Sequence, residues 1–283
     1  MKSTVYLSIA ALAGAFGLLA YFGVRHSRGT PVAVTAPPTA VLPAPFLDTD
    51  LQLASGISLS PWDGLPGTEV ELMYQVTVLP WARSLVSPLQ VKAFHNGKEL
   101  FLYLTWKDES EDRQVGVNQF ADAAAVMFPL GDQVEPSTII MGFMGRANLW
   151  HWKASRDSEY WEKRLPQSRA YSDFYYPFEE QELFPVSQEK AASAVAELLA
   201  ERVGTVTPSP LQEVEGRGVW RDGTWHVVFR RPLSSGDPEY ARTLVPGNTY
   251  RIAFAVWNGQ RGDRGGRKSI SEWVDLRIEP GPP

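Results

Sequence analysis

The 283-residue sequence contains no cysteine. This absence excludes disulfide bonds, thiolate catalysis, iron–sulfur clusters and haem attached through thioether bonds. Any cofactor must therefore be held without a covalent bond to protein sulfur. Histidine is also scarce, and the spacing of the four histidines does not match a metal site, so the sequence predicts no zinc centre. These histidines are His26, His95, His151 and His226.

An excess of positive charge is missing as well. The formal net charge is −5 and the sequence pI is about 5.5, so the chain has no basic field for nucleic acid or anionic lipid. The stretch RGDRGGRK, residues 261–268, combines glycine with basic residues. It lacks the spacing GxxxxGK[ST] and precedes a predicted strand instead of a helix, which excludes a phosphate-binding loop.

One long apolar run is present, at the N-terminus. Residues 5–24 are uncharged and mostly apolar, which is long enough to cross a bilayer as a helix. We expect residues 1–29 to be a signal or anchor helix, and the lack of a clear cleavage site favours a retained anchor. Residues 30–47 are rich in proline and predict an extended linker. The body, residues 48–283, is then expected on the periplasmic or extracytoplasmic side of the cytoplasmic membrane.

The body alternates apolar and polar residues in short runs separated by turns. Asn96-Gly97 and Asp222-Gly223 each lie between two such runs and predict two-residue hairpins. His95, beside the first turn, is expected to be an exposed polar residue. Residues 249–260 predict a strand with Ile252, Phe254 and Val256 on one face. The fold class is therefore mainly β, an antiparallel two-sheet β-sandwich with one or two helices.

Two segments depart from the strand pattern. Residues 187–203 have Ser187 at the start, an apolar stripe at helical spacing and Gly204 after the end, which predicts a helix packed on a sheet. Residues 155–185 are rich in charged and aromatic side chains. They predict a long surface excursion, which either contacts a partner or packs on its own domain.

The stretch from Pro136 to Ala154 looks most like a functional site. It predicts two strands, residues 137–143 and 147–153, with Met141 and Met144 at the end of the first. In an extended strand these two methionines face opposite sides, so only one can reach a given interior. A buried thioether is either a pliable core residue or a soft axial ligand to haem iron. Met127 lies in a fully apolar run and is expected to be plain core.

Several motifs occur in an order that resembles the ethylbenzene dehydrogenase-type haem-binding subunit family. The similarity spans about residues 48–280, and its last two signatures are specific only when taken together. The motifs are Pro61-Trp62-Asp63, LTWKD at residues 104–108, DAAAVMFP at 122–129, MG…ANLWHWKA at 141–154 and AFAVWNG…RKSISEW at 253–273.

The resemblance implies one b-type haem, held without a covalent bond between the two sheets of the sandwich by a methionine and a lysine. Carried over to this sequence, the lysine is Lys268 and the methionine is Met141, with Met144 as the second candidate. A lysine amine binds iron only when neutral, so its site must displace a proton whose reference pKa is about 10.4.

The resemblance further implies an electron-transfer subunit that performs no substrate chemistry itself. Its expected partners are the iron–sulfur and molybdenum subunits of an oxidoreductase and a carrier such as cytochrome c. The alternative is a tryptophan-rich carbohydrate-binding module, because such modules share the sandwich architecture and bind sugars on exposed aromatic side chains.

Overall fold

The computed structural model describes residues 39–76, 85–116, 118–131, 145–163, 193–202 and 205–282. These residues form fourteen strands, one α-helix and two short 3-10 helices at Leu53–Ser55 and Ser60–Trp62. The helix is α1, Ala154–Glu162. The strands are β1 Ala40–Ala44, β2 Gly67–Val70, β3 Leu72–Tyr74, β4 Leu89–His95, β5 Glu99–Lys107, β6 Ala123–Pro129, β7 Ala147–Lys153, β8 Val195–Arg202, β9 Thr205–Pro208, β10 Glu215–Arg221, β11 Thr224–Pro232, β12 Thr249–Trp257, β13 Ser269–Ser271 and β14 Val274–Ile278.

The strands form two sheets, as expected for a sandwich. Within the described residues, the larger sheet has nine strands, with the order β1-β14-β12-β6-β7-β8-β9 and with β13 joining β12 to β3. The smaller sheet has five strands in the order β10-β11-β5-β4-β2. The ladders are antiparallel except for the parallel pair of β1 and β14. The predicted β-sandwich is therefore confirmed.

Both predicted hairpins are present, but only the second has the predicted turn residues. Asp222 and Gly223 join β10 to β11 with φ 50° and 70°. The first turn consists of Gly97, with φ 85°, and Lys98, because His95 pairs with Leu100 and the N–H of Asn96 donates to the carbonyl oxygen of Glu99. A positive φ is easy for glycine and tolerable for aspartate, so these turns fix the strand register locally.

The main hydrophobic core lies between the two sheets. The predicted alternation of β12 is confirmed, because Ile252, Phe254 and Val256 all face this core. Four indoles fill its centre, and the rings of Trp152 and Trp225 meet edge to face at 5.1 Å. Large aromatic side chains bury much apolar surface at low entropic cost, so they account for a large part of the packing energy. The four are Trp106, Trp150, Trp152 and Trp225.

The sandwich begins earlier than the predicted linker allows. Residues 40–44 were expected to belong to the extended spacer, but they form β1 and pair with β14. Leu42 and Ala44 point into the core and are fully buried. Pro43 is tolerated because β1 is an edge strand of the described sheet, where one side of the backbone makes no ladder hydrogen bonds.

The helix predicted over residues 187–203 is wrong in its described part, which is strand β8. Val195, Glu197 and Leu199 are buried while the residues between them are less so, which is the period of a strand. The register of β8 against β7 and β9 decides the conformation, since these ladders satisfy its backbone groups. Tertiary pairing thus overrides a local sequence of good helix formers.

Two further expectations are corrected. His95 is not exposed: it is fully buried, and its Nε2 lies 2.8 Å from the carbonyl oxygen of Glu279. The start of the predicted surface excursion is α1, whose Asp157 is buried and accepts a hydrogen bond from the Trp152 indole. Residues 164–185 of the excursion lie outside the described residues.

The predicted N-terminal helix, residues 5–24, and the predicted strand at residues 137–143 also lie outside the described residues. Among the helices of the described part, none is long and apolar enough to cross a membrane. The signal or anchor helix therefore stays a prediction.

A buried polar cluster connects the ends of three strands. Asn258, after β12, donates its side-chain amide to Asp108, after β5, at 2.9 Å. Asp122, before β6, accepts hydrogen bonds from the backbone N–H of Gly259 at 2.8 Å and the Trp225 indole at 2.9 Å. The cluster ties the two sheets together and fixes the start of the loop at residues 258–267.

Burial gives the two carboxyl groups unusual acidities. It raises the pKa of Asp122 to about 7, with a further contribution from the charge of Asp108, and it raises the pKa of Asp108 to about 6. The folded protein therefore holds these protons more tightly than the unfolded chain. The contribution of Asp108 and Asp122 to the unfolding free energy therefore falls as the pH rises from about 4 to about 7.

We predict that Asp108→Asn reduces this pH dependence. The amide keeps the oxygen that accepts from Asn258 but cannot ionise, so the penalty of about 3 kcal/mol for a buried charge disappears at pH 8. Urea unfolding at pH 5 and pH 8 measures the effect, with exposed Asp63→Asn as the matched control. A variant that loses stability between the two pH values as steeply as the wild type would contradict the prediction.

Candidate functional site

Lys268 lies at the start of β13, on the face of the large sheet that points away from the main core. Its carbonyl oxygen accepts a hydrogen bond from the N–H of Gln75, which continues the ladder with β3. Its ammonium nitrogen lies 4.8 Å from the centroid of the Trp257 ring. The side chain is thus held over an indole of the neighbouring strand β12.

The two serines beside Lys268 explain the local sequence KSIS. Ser269 and Ser271 are fully buried, and their hydroxyl oxygens accept hydrogen bonds from the N–H groups of Val86 and Phe254. Because side chains alternate along a strand, serines that point to one face place Lys268 and Ile270 on the other. The motif therefore fixes the direction of the lysine.

The amine of Lys268 is easier to deprotonate than an ordinary lysine. Burial lowers the pKa of Lys268 from its usual 10.5 to about 8. No carboxylate of the described residues pairs with the ammonium to oppose this shift. At pH 7 about a tenth of the side chains are neutral, so a metal that binds the amine displaces its proton at small cost.

The surface beside Lys268 is apolar. Its floor consists of alanines that occupy alternate positions of β6 and β12, while the intervening residues of both strands face the main core. The four alanines are at most 9% exposed, so other groups cover the floor. The alanines are Ala123, Ala125, Ala253 and Ala255.

Larger side chains surround this floor. Trp257, Ile270 and Trp273 are buried there, and Met73 and Met127 pack against them while partly buried. Met127 was expected in the plain core, but it lies on the face of Lys268. Met73 is a second thioether of this face that the sequence did not indicate as a site residue.

His151 of β7 also belongs to this face. Its ring lies 4.9 Å from the Trp257 ring, centroid to centroid, and its Nε2 is buried without a hydrogen-bond partner. Burial first, and then the charges of Lys153, Arg156 and Lys268, hold the pKa of His151 well below its usual value. The imidazole is therefore neutral at physiological pH. The sequence had given this residue no role.

The loop before Lys268 is fixed by internal hydrogen bonds. The Trp257 indole donates to the carbonyl oxygen of Gly265 at 2.9 Å. Asp263 accepts a hydrogen bond from the N–H of Asn258 and lies 3.5 Å from the guanidinium of Arg267. Because the loop also begins at the buried polar cluster, the backbone of Lys268 is held in place from both sides.

The second expected ligand cannot be placed in the same way. Met141 and Met144 both lie in residues 132–144, outside the described residues. Their assignment as first and second candidates stays a prediction.

The position of the haem between the two sheets, which the family resemblance implies, stays a prediction. Four buried indoles fill the core between the sheets, and Lys268 lies on the opposite face of the larger sheet. The apolar floor, the readily neutral amine and the unpartnered imidazole fit a haem bound on that opposite face. A metal ion held by the protein alone is not indicated, since the described residues contain no group of three or more histidine, cysteine or carboxylate side chains suited to one.

Comparison with known proteins is consistent with this geometry. The chain is 27% identical to the chlorate reductase subunit gamma of Ideonella dechloratans over 92% of this chain and 96% of that protein. It is 29% identical, over 89% of this chain and 78% of that protein, to a Haloferax mediterranei protein provisionally named a respiratory nitrate reductase heme subunit.

Among solved structures, a family 9 carbohydrate-binding module of Caldicellulosiruptor kristjanssonii is similar over 85% of this chain and 96% of that chain, with 8% identity. Its TM-score of 0.41 is too low to support any assignment. The sequence family described as ethylbenzene dehydrogenase matches residues 60–269. These residues include the alanine floor, His151, the loop and Lys268, and the chain belongs to this family.

Proposed function

We propose that the chain is an electron-transfer subunit that binds one non-covalent b-type haem. The observation that carries the proposal is the position of Lys268, whose ammonium nitrogen lies 4.8 Å from the centroid of the Trp257 ring, beside the alanine floor of the larger sheet. Family membership and the names of the heme and gamma subunits to which the chain is similar support it.

In this proposal Lys268 supplies one axial ligand as a neutral amine, and Met141 supplies the other, with Met144 as the second candidate. A haem iron with these ligands accepts and releases one electron between its ferric and ferrous states. The protein would bind the ring on the apolar surface beside Lys268 and hold the lysine through the loop at residues 258–267. None of its residues performs substrate chemistry.

The chain would relay electrons between the iron–sulfur subunit of a molybdenum oxidoreductase and an external carrier such as cytochrome c. The similarity to a gamma subunit of chlorate reductase supports a heteromeric complex. Residues 5–24 would anchor the chain to the cytoplasmic membrane with the sandwich on the periplasmic or extracytoplasmic side, as their length and apolar character indicate.

Reconstitution of the purified full chain with haem tests the function. We expect a stoichiometric complex whose Soret band shifts on reduction, and reversible reduction without any added substrate. A chain that binds no haem but is retarded in polysaccharide gels would instead support the carbohydrate-binding alternative.

We predict that haem can be extracted completely from the reconstituted chain. The sequence has no cysteine that could form a thioether bond to the porphyrin. Acidified acetone should therefore leave colourless precipitated protein and place all of the haem in the supernatant. Haem absorbance that remains with the precipitate would refute a b-type cofactor.

We predict that the axial ligands respond differently to substitution. Lys268→Ala should weaken haem binding most, because it removes both an iron ligand and the side chain that covers Trp257. Met141→Ala should leave a high-spin or water-bound iron with a lower reduction potential, since a thioether favours the ferrous state. Met144→Ala should change little.

Absorption spectra and potentiometric titration of the three variants make the comparison. If Met144→Ala abolishes the low-spin spectrum while Met141→Ala does not, the two methionines are assigned in the wrong order. If all three variants keep the wild-type spectrum, the proposed ligand set is wrong.

A further inference from the structure

The imidazole of His151 lies on the same face of the larger sheet as Lys268, and the proposed axial ligands leave its role unexplained. Its Nε2 is buried and has no hydrogen-bond partner. A buried polar atom without a partner is destabilising, and native proteins rarely contain one unless a water, an ion or a ligand forms the hydrogen bond. The alanines opposite it in the ladder, Ala125 and Ala196, cannot supply a partner.

The charges around His151 indicate which kind of ligand would accept a hydrogen bond from its Nε2. Every charged side chain of the described residues that acts on the imidazole is cationic, namely Lys153, Arg156 and Lys268. Lys153 lies at the end of β7 and Arg156 lies in α1. An N–H donor beside cationic side chains on an apolar surface is suited to a carboxylate.

A haem carries two such carboxylates on its propionate side chains. An imidazole that served only to support the fold would have both nitrogens satisfied by protein groups, as the ring of His95 has with the Glu279 carbonyl and the Gly97 N–H. An imidazole that bound iron would gain nothing from adjacent cations, because they repel the metal. The surroundings of His151 therefore favour contact with the anionic edge of the haem over contact with its iron.

We propose that His151 is a propionate-binding residue, which donates a hydrogen bond from Nε2 to a haem carboxylate whose charge is offset by Lys153 and Arg156. The proposal rests on the proposed haem function and adds to it the orientation of the ring. The propionate edge points toward the end of β7 and the start of α1, and the opposite edge points away from them.

Binding affinities for haem and for its dimethyl ester, in which both propionates are uncharged, distinguish propionate binding from iron ligation. We expect His151→Leu to lower the affinity for haem by about tenfold, the usual loss for a hydrogen bond to a charged group. The affinity for the dimethyl ester and the low-spin absorption spectrum should equal those of the wild type. His151→Gln, which keeps an N–H donor, should lose less haem affinity than His151→Leu.

His226→Leu is the matched control, because His226 lies on β11 of the other sheet and bonds to the Tyr103 hydroxyl. It should leave both affinities unchanged. Equal haem affinities of the wild type, His151→Leu and His151→Gln would overturn the proposal while leaving the haem function intact. Loss of the low-spin spectrum with both ligands would overturn it in favour of iron ligation. A wild type that binds neither ligand would refute the haem function itself.

Discussion

The alternation of large and small side chains along β6 and β12 is the constraint on which the rest of the structure depends. One face of each strand carries residues such as Phe128 and Phe254 and packs against the smaller sheet, which stabilises the fold. The other face carries alanines, which form the apolar floor beside Lys268. One sheet therefore carries the main core on one face and a second apolar cluster on the other.

Burial next to that floor sets the chemistry of the polar side chains around it. An ammonium loses hydration there and becomes easier to deprotonate, and an imidazole becomes neutral. Lys268 and His151 both show the effect, and both contact the same indole of Trp257. In water the same two side chains would hold their protons more tightly. The fold thus lowers the pKa of both residues.

Fold prediction succeeded where local signals decide the conformation. The glycines at Gly97 and Gly223 fix two hairpins through backbone dihedral preferences, and β7 was predicted with its observed bounds. It failed for β8, whose residues favour a helix locally but gain ladder hydrogen bonds from both neighbours. The exposed position expected for His95 was also wrong, because distant residues of the chain bury it.

The sequence by itself determined that no cysteine is available for thioether attachment of haem, and it determined the sandwich class. Through its family motifs it also predicted Lys268 as a candidate ligand. Only the tertiary structure decided on which face of the sheet that lysine lies, because the main core is full of indoles that the sequence could not place. It also brought His151 to the indole of Trp257, although the two residues are far apart in the chain. The physical reason is that a buried atom such as His151 Nε2 lacks a partner only because of the residues that lie around it in space. The pairing of the strands sets those neighbours, and the order of residues in the chain does not.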